Sequence, residues 1–489
     1  MSLKNLTKST LIYSVGTIII RVSAFVLIPF YTHSLSVSDY GLLSALLLTS
    51  QIIIPIVDFG VVSSLMRFMK EFDDKNAGGE LLGSSILINL LAGFFIIAVS
   101  GITLGPIFRA FLQIEDVFIY ALLVSTASVL QSLCVNTLSY FRARNQGMMF
   151  TVFSIAVAVL VSSLTILFVV KFDLGIKGVF EAQAIGYFLL WIIPLKIISR
   201  KVKYKVSKPT LKKLLKFGFP LIFARSGDLI KSTIAIYMLS YFVGLEQVGI
   251  FSLASRLTMI VQVVLILPFQ LSYEPYIYSS IGDPNLSRRI SKISTYLLIA
   301  FVVISFSLVF VFRDFMGIIA PKEYFKAYYL IFLLMPAQVF RGFTYISQSL
   351  LLIKQKSNIT GIVSVISTVL SIMLSYFCIK YYGIMGNIFA INVYWFGLAI
   401  ALFILGDKEI HVKMETARLL ILGFVNLLSL AAVYFLVDSP PIIFYSILPI
   451  AFIIVFLLLY NLKFFDSDEK QIIRKSFKKV QYKLLSFKT

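Results

Sequence analysis

Apolar stretches of about twenty residues, the length a helix needs to cross a bilayer, follow one another along almost the whole of this chain. Of its 489 residues 59% are hydrophobic and 14% charged, against about 25% charged in soluble domains. Hydrocarbon offers backbone groups no hydrogen-bond partner, so spanning segments must be helices or closed barrels. Runs this long and this uniform specify helices. The chain therefore reads as an all-α polytopic membrane protein with about 14 transmembrane helices.

The spans run near Leu11–Tyr31, Gly41–Leu65, Leu81–Ile102, Val117–Leu138, Met149–Val170 and Ile176–Ile198. After a basic loop come Phe217–Ser240, Gly249–Leu271, Thr295–Phe312, Tyr328–Leu351, Ile359–Ile379 and Ile384–Leu405, and then Thr416–Val437 and Ile442–Leu459. Counting Lys177, Lys196 and Arg418 at span ends with their loops, thirty-two Lys and Arg fall on the side of the N-terminus, seven on the other side and five deep inside spans. Positive charge accumulates in cytoplasmic loops, so both termini are expected in the cytoplasm. The formal net charge of +21 is thus a topology signal, and a nucleic-acid partner is not expected. No cleavage-site pattern follows the first apolar run, so no signal peptide is expected. Cys134 and Cys378 lie in apolar runs and read as small buried hydrophobes. His33 and His411 are the only histidines and are too far apart in sequence to suggest a metal site.

Arg21, Arg225, Lys231, Arg256 and Arg341 are the five cations inside spans. A charge at the bilayer centre costs about 2.5–3.5 kcal/mol on insertion scales, so such residues face a cavity or a partner. Five of them point to an anion handled inside the bundle. Three carboxylates, Asp58, Glu181 and Asp228, lie in or at the edges of spans and are candidates for carrying a coupling proton or sodium ion. Asp58 sits near the cytoplasmic end of its span, where capping a helix or pairing with Arg67 is the plainer reading. Tyr273, Tyr276 and Tyr278 read as interfacial aromatics.

The two halves of the chain echo each other. Gly41-Leu42-Leu43-Ser44 is matched by Gly249-Ile250-Phe251-Ser252, and Gly175-Ile176-Lys177-Gly178 by Gly383-Ile384-Met385-Gly386, each at an offset of 208 residues. Six spans separate equivalents, so the copies share one orientation and should be related by an axis along the membrane normal. The expected organisation is a first lobe over 1–199, a basic linker over 200–216 and a second lobe over 217–406. Two extra spans follow over 407–461, with a basic tail over 462–489. In that tail Ile473, Phe477, Val480, Leu484 and Phe487 form one helical stripe, as in a helix lying on anionic lipid.

Ser38-Asp39-Tyr40-Gly41, Asp58-Phe59-Gly60, Arg67-Phe68, Gly218-Phe219-Pro220 and Glu246 through Ser252 together resemble bacterial polysaccharide repeat-unit flippases. These are the O-antigen and capsule branch of the multidrug/oligosaccharidyl-lipid/polysaccharide exporter superfamily. The resemblance covers essentially the whole chain. It implies a protein that moves a polyprenyl-diphosphate-linked oligosaccharide between leaflets of the cytoplasmic membrane, by alternating access between two six-span lobes around a central cationic cavity. It also implies contact with membrane lipids and a place beside the polymerase and ligase of the same pathway. One departure stands out: many members carry an adjacent Asp-Arg pair midway along the seventh span, where this chain has Ser232-Thr233-Ile234-Ala235.

A diphosphate is well matched to arginine, which can bind it with two parallel bonds, and to lysine as a point charge. Arg21, Arg225 and Lys231 are the primary expected substrate contacts, with Arg256 and Arg341 secondary. A competing reading takes Arg225, Asp228 and Lys231, spaced three apart, as an ion-pair ladder on one helix. Two other functions share the superfamily: a peptidoglycan-precursor flippase and a multidrug/cation antiporter, the latter wanting an acidic cavity. An enzyme of the pathway would carry a large loop opposite the basic side, whereas every loop there is short. No Gly-rich Lys-Ser/Thr phosphate loop is present, and neither a cofactor nor a metal is expected.

Overall fold

The computed structural model describes residues 19–20, 22–74, 77–200 and 204–436, with a few single positions beyond. Arg21, the fourteenth span and most of the basic tail lie outside these. Eight helices among the described residues are long and apolar enough to cross a membrane. A short first helix, α1 (Val22–Ser34), leads to Ser36, whose hydroxyl accepts from Asp39 N and caps α2 (Val37–Asp58). The expected second span is broken. Pro55 lies in the last turn of α2, and Phe59 and Gly60 both adopt positive φ (49° and 69°). The chain then restarts as an amphipathic helix, α3 (Val61–Asp73), whose Val62 N donates to the Asp58 carboxylate at 3.1 Å.

Next come α4 (Gly78–Leu112), α5 (Val117–Ala143), α6 (Gly147–Ile166) and α7 (Gly175–Ser199). The second half holds α8 (Lys208–Val243), α9 (Leu245–Val261), α10 (Leu267–Ser279), α11 (Leu286–Ile319) and α12 (Lys326–Ile353). The eleventh and twelfth expected spans together form α13 (Ser357–Asp407), which turns sharply at Gly383. The chain continues into α14 (Thr416–Leu436).

The described chain forms two compact units, residues 1–275 with 314–409 and residues 276–313 with 410–489. In the second, Ser287 donates to the His411 carbonyl at 2.7 Å, and Thr295 to the Glu415 carboxylate at 2.7 Å. Most of both repeat halves lies in the first unit, and there the repeat is visible in the backbone. Gly175 and Gly383, 208 apart, share a φ of 57°. Asn145 and Gln355, which follow α5 and its counterpart α12, also share 57°. Helix α2 packs on α5 as α9 packs on α12.

The halves meet at a reciprocal contact between the first turns of α2 and α9. A Cβ added at Gly41 would strike the Leu245 carbonyl, and one added at Gly249 would strike the Val37 carbonyl. Leu245 is the repeat mate of Val37, so each half offers the same carbonyl to the other's glycine, as an isologous two-fold interface requires. Tyr273, expected at the interface, is instead buried, bonded to Ser349 at 2.8 Å and stacked on Phe269. Tyr276 and Tyr278 are exposed.

The glycine contact yields a prediction. Gly249→Leu should lower the melting temperature of detergent-solubilised protein, since overpacking a tight contact costs about 1–3 kcal/mol. Gly397→Ala, at a helical glycine with no atom within 4 Å of the added Cβ, should leave it unchanged or slightly higher.

Candidate functional site

Helix α8 starts where Ser207 caps Thr210 N and both hydroxyls donate to the Glu80 carboxylate. It then runs 36 residues to a tight turn at Gly244, φ 108°. Two thirds of the way along it, Lys231 is buried with a side chain only 7% exposed, and its ammonium pairs with Asp228 at 2.8 Å. The second Asp228 oxygen faces Arg341 of α12 at 3.4 Å. Two aromatic residues of α13 complete the cluster. Lys231 Nζ lies 3.3 Å from the Tyr394 ring centroid and 5.1 Å from that of Trp395, and the Arg341 guanidinium lies 4.7 Å from Trp395. The aromatic faces stabilise the cations where water is scarce. Two cations and one carboxylate leave the cluster with a net positive charge.

The two cations are held unequally. The Lys231–Asp228 pair has the short distance of a charge-assisted bond, whereas Arg341 sits beyond the about 2.7–2.9 Å such bonds prefer. Arg341 Nε is buried and has no acceptor among the described residues. A buried donor without a partner is costly, and Arg341 carries one.

The expected cations therefore do not form one cluster. Lys231 and Arg341 come together with Asp228. Arg256, on α9, instead lies 5.5 Å from the ring centroid of Tyr40 on α2 and has no carboxylate within 4 Å among the described residues. Lys231 precedes the turn at Gly244 by thirteen residues and Arg256 follows it by twelve. At 1.5 Å per helical residue, both lie about 18–20 Å from that turn, and so at a similar depth on consecutive helices. Arg225 sits on α8 one turn before Asp228, with its side chain outside the described residues; Arg21 is also outside them.

The acids separate as well. Asp58 caps α3, and Arg67 lies over the Phe68 ring rather than beside Asp58. Asp228 is engaged by two cations, Lys231 and Arg341. Glu181, on α7, is half-buried with no cation within 4 Å among the described residues. No group of three or more His, Cys, Asp or Glu that could hold a metal exists among the described residues. Sequence reasoning passed over Tyr394 and Trp395, the aromatic wall of the cluster. The available signal was that Trp395 is one of only two tryptophans in the chain.

A bundle of long apolar helices in two repeated halves defines a multi-pass membrane protein. The model of the polysaccharide biosynthesis protein family matches residues 6–281, more than half of the chain, and the chain belongs to that family. Among solved structures it is similar to the lipid II flippase MurJ in an inward closed conformation. Identity there is 14% over 92% of this chain and 98% of that one, with a TM-score of 0.73. An inward-facing multidrug resistance MATE family transporter of the MOP superfamily also matches, with 14% identity over 81% and 93% and a TM-score of 0.64. A MOP superfamily transporter from Pyrococcus furiosus, noted for reversed polarity of its binding pocket, matches with 13% identity over 82% and 94% and a TM-score of 0.53. At such identities the likeness establishes a common fold. No curated protein sequence matches.

The ion cluster yields a second prediction. Asp228→Asn strands the buried Lys231 charge and should destabilise the protein by about 1–3 kcal/mol, read as a lower melting temperature. Adding Lys231→Met should recover most of the loss. An Asp228→Asn variant as stable as the wild type would mean that the aromatic wall alone supports Lys231.

Proposed function

We propose that this protein carries a polyprenyl-diphosphate-linked oligosaccharide repeat unit from the inner to the outer leaflet of the cytoplasmic membrane. Both termini are cytoplasmic in this reading, as the 32-to-7 distribution of basic residues requires. The two repeat halves alternate access around the axis at Gly41 and Gly249, and the product feeds a polymerase and ligase that build surface polysaccharide. The observation that carries the reading is the Arg341 Nε without an acceptor, inside a net-positive cluster and on a guanidinium held only at 3.4 Å by Asp228.

In this mechanism a phosphate oxygen replaces the loosely held Asp228 oxygen at Arg341 and satisfies Nε as well. Two parallel bonds of this kind suit a guanidinium. Lys231, shielded by Tyr394, stays with Asp228 and fixes the carboxylate in place. Arg256, at a similar depth and without a carboxylate partner, supplies a second phosphate contact, and Arg21 and Arg225 extend the cationic path. The glycan remains in the wet interior while the lipid chain stays in hydrocarbon. A membrane potential negative inside favours expulsion of the anion. A cation antiporter would need a free acidic pocket, whereas Asp228 is neutralised by two partners.

In a strain deleted for the gene, the lipid-linked unit should accumulate in the inner leaflet and surface polymer should disappear. Complementation with Arg341→Ala or Arg21→Ala should restore less than about a tenth of export, as loss of a charge-assisted contact worth about 1.4 kcal/mol or more predicts. Membrane levels of both variants should be normal. Lipid-linked units still reaching the outer leaflet in the deletion strain would overturn the substrate assignment, and wild-type export by Arg341→Ala would overturn the site.

A further inference from the structure

Arg256 links the depth of the Lys231 cluster to the contact at Gly41 and Gly249. It follows Gly249 by seven residues on α9, about 10 Å of helix. Its guanidinium nevertheless lies 5.5 Å from the ring centroid of Tyr40, the neighbour of Gly41. Helical side chains lean toward the N-terminus of their helix, and this one does so across the line between the repeat halves. Tyr40 belongs to the first half and Arg256 to the second. A second residue of the second half, Tyr324, packs edge-on against Tyr40 at 5.8 Å.

These rings belong to a closure between the halves. Tyr324 donates to the Ser36 carbonyl at 3.4 Å, and Thr32 donates to the Ile319 carbonyl. At the same face of the bundle Phe111, in the last turn of α4, packs against Tyr237 and Tyr241 of α8 at 6.0 and 5.6 Å. The Tyr237 hydroxyl bonds that of Thr49 at 2.7 Å. Ile319 is the repeat mate of Phe111, so the closure uses equivalent positions twice. In the proposed orientation this is the outer face. Tyr40 is fully buried there, and its hydroxyl has no partner among the described residues. An unbonded buried hydroxyl is costly, and water would relieve that cost on opening.

A phosphate offers a guanidinium two charge-assisted bonds and is a stronger partner than the face of a ring. We infer that Arg256 couples phosphate binding to this closure. A phosphate in the bundle draws the guanidinium off Tyr40, and the Tyr40–Tyr324 contact loses the cation that helps to hold it shut. A ligand shifts a conformational equilibrium only by binding one state better than the other. Here the difference is that Arg256 is free for phosphate once it has left the ring. The inference rests on the proposed function and adds to it the residue through which a bound diphosphate opens the outer face.

The test uses full-length protein in nanodiscs, spin-labelled at Lys171→Cys and Lys380→Cys in a Cys134→Ala/Cys378→Ala background. Lys171 and Lys380 are exposed, one in each half at this face. Farnesyl diphosphate should shift the distance between the labels to longer values, and farnesol, which lacks the phosphates, should not. In Arg256→Gln the distance should no longer respond, although farnesyl diphosphate still raises the melting temperature through Arg341. Tyr40→Leu should show the longer distance without ligand. Tyr40→Phe keeps the ring and removes only the unpartnered hydroxyl, so it should respond as the wild type does, with a melting temperature no lower. An Arg256→Gln protein that responds fully, an equal response to farnesol, or a Tyr40→Leu protein that stays closed would overturn the coupling. Farnesyl diphosphate that binds the wild type without any shift would remove the coupling alone. Failure to bind the wild type at all would remove the proposed substrate with it.

Discussion

Two helices can approach to backbone contact only where neither carries a side chain, and this condition at Gly41 and Gly249 sets how the two halves meet. Each glycine faces one carbonyl of a repeat-related pair, Leu245 for Gly41 and Val37 for Gly249. The contact is therefore two-fold, and the axis is fixed between the first turns of α2 and α9. Bilayers supply little hydrophobic drive between helices, so close packing through small residues carries much of their association. Everything that follows α9 in the first unit inherits this register, including α12 and, through it, the position of Arg341.

The seam at the other end of α2 is built differently. There Phe59 and Gly60 break the helix, α3 turns aside as an amphipathic segment, and the contact with α8 combines Gly218 with stacked phenylalanines and the Lys213–Glu71 pair. Exposed ion pairs contribute about 0–1 kcal/mol, and ring stacking about 0.5–1.5 kcal/mol. Gly60 and Gly218 bring the backbones as close here as Gly41 and Gly249 do at the other end, so the halves meet by backbone contact at both ends of α2.

Much of this was legible in the sequence, and the failures have physical causes. The all-helical class and the order of the helices follow from run length, and the repeat from glycines whose backbone conformation no other residue adopts as cheaply: Gly175 and Gly383 share a φ of 57°. The break after Asp58 was missed because Phe59 is an unusual residue for positive φ and the apolar run continues through it. The ladder reading of Asp228 and Lys231 was half of the cluster, since spacing on one helix reveals a pair at three residues but not a partner on another. Arg341, Tyr394 and Trp395 lie more than a hundred residues from Lys231, and only packing brings them there. For the same reason the sequence could count five cations inside spans without showing that Arg256 stands apart from Lys231 and Arg341.

The repeat also shows which features are scaffold and which are specialised. At the offset of 208, Asp228 and Lys231 correspond to Ile20 and Ser23, where Ser23 merely donates to the Ile20 carbonyl at 2.9 Å. Tyr394 and Trp395 correspond to Gly186 and Tyr187, and the stretch around Ser132, which holds no charge, stands opposite Arg341. The interior of the first half is instead joined by neutral pairs, Ser50 with Ser128 at 2.7 Å, Ser85 with Asn136 at 3.2 Å and Asn89 with Ser132 at 3.2 Å. Neutral bonds of this kind between membrane helices contribute about 0.6 kcal/mol on average and hold a bundle together without attracting a counter-ion. A duplicated bundle needs such bonds in both copies, but buried charge is expensive and gains nothing by duplication unless a ligand meets it. The Lys231 cluster has no counterpart at the equivalent positions of the first copy, although the backbone is repeated there down to single φ values, as the binding role proposed for it would require.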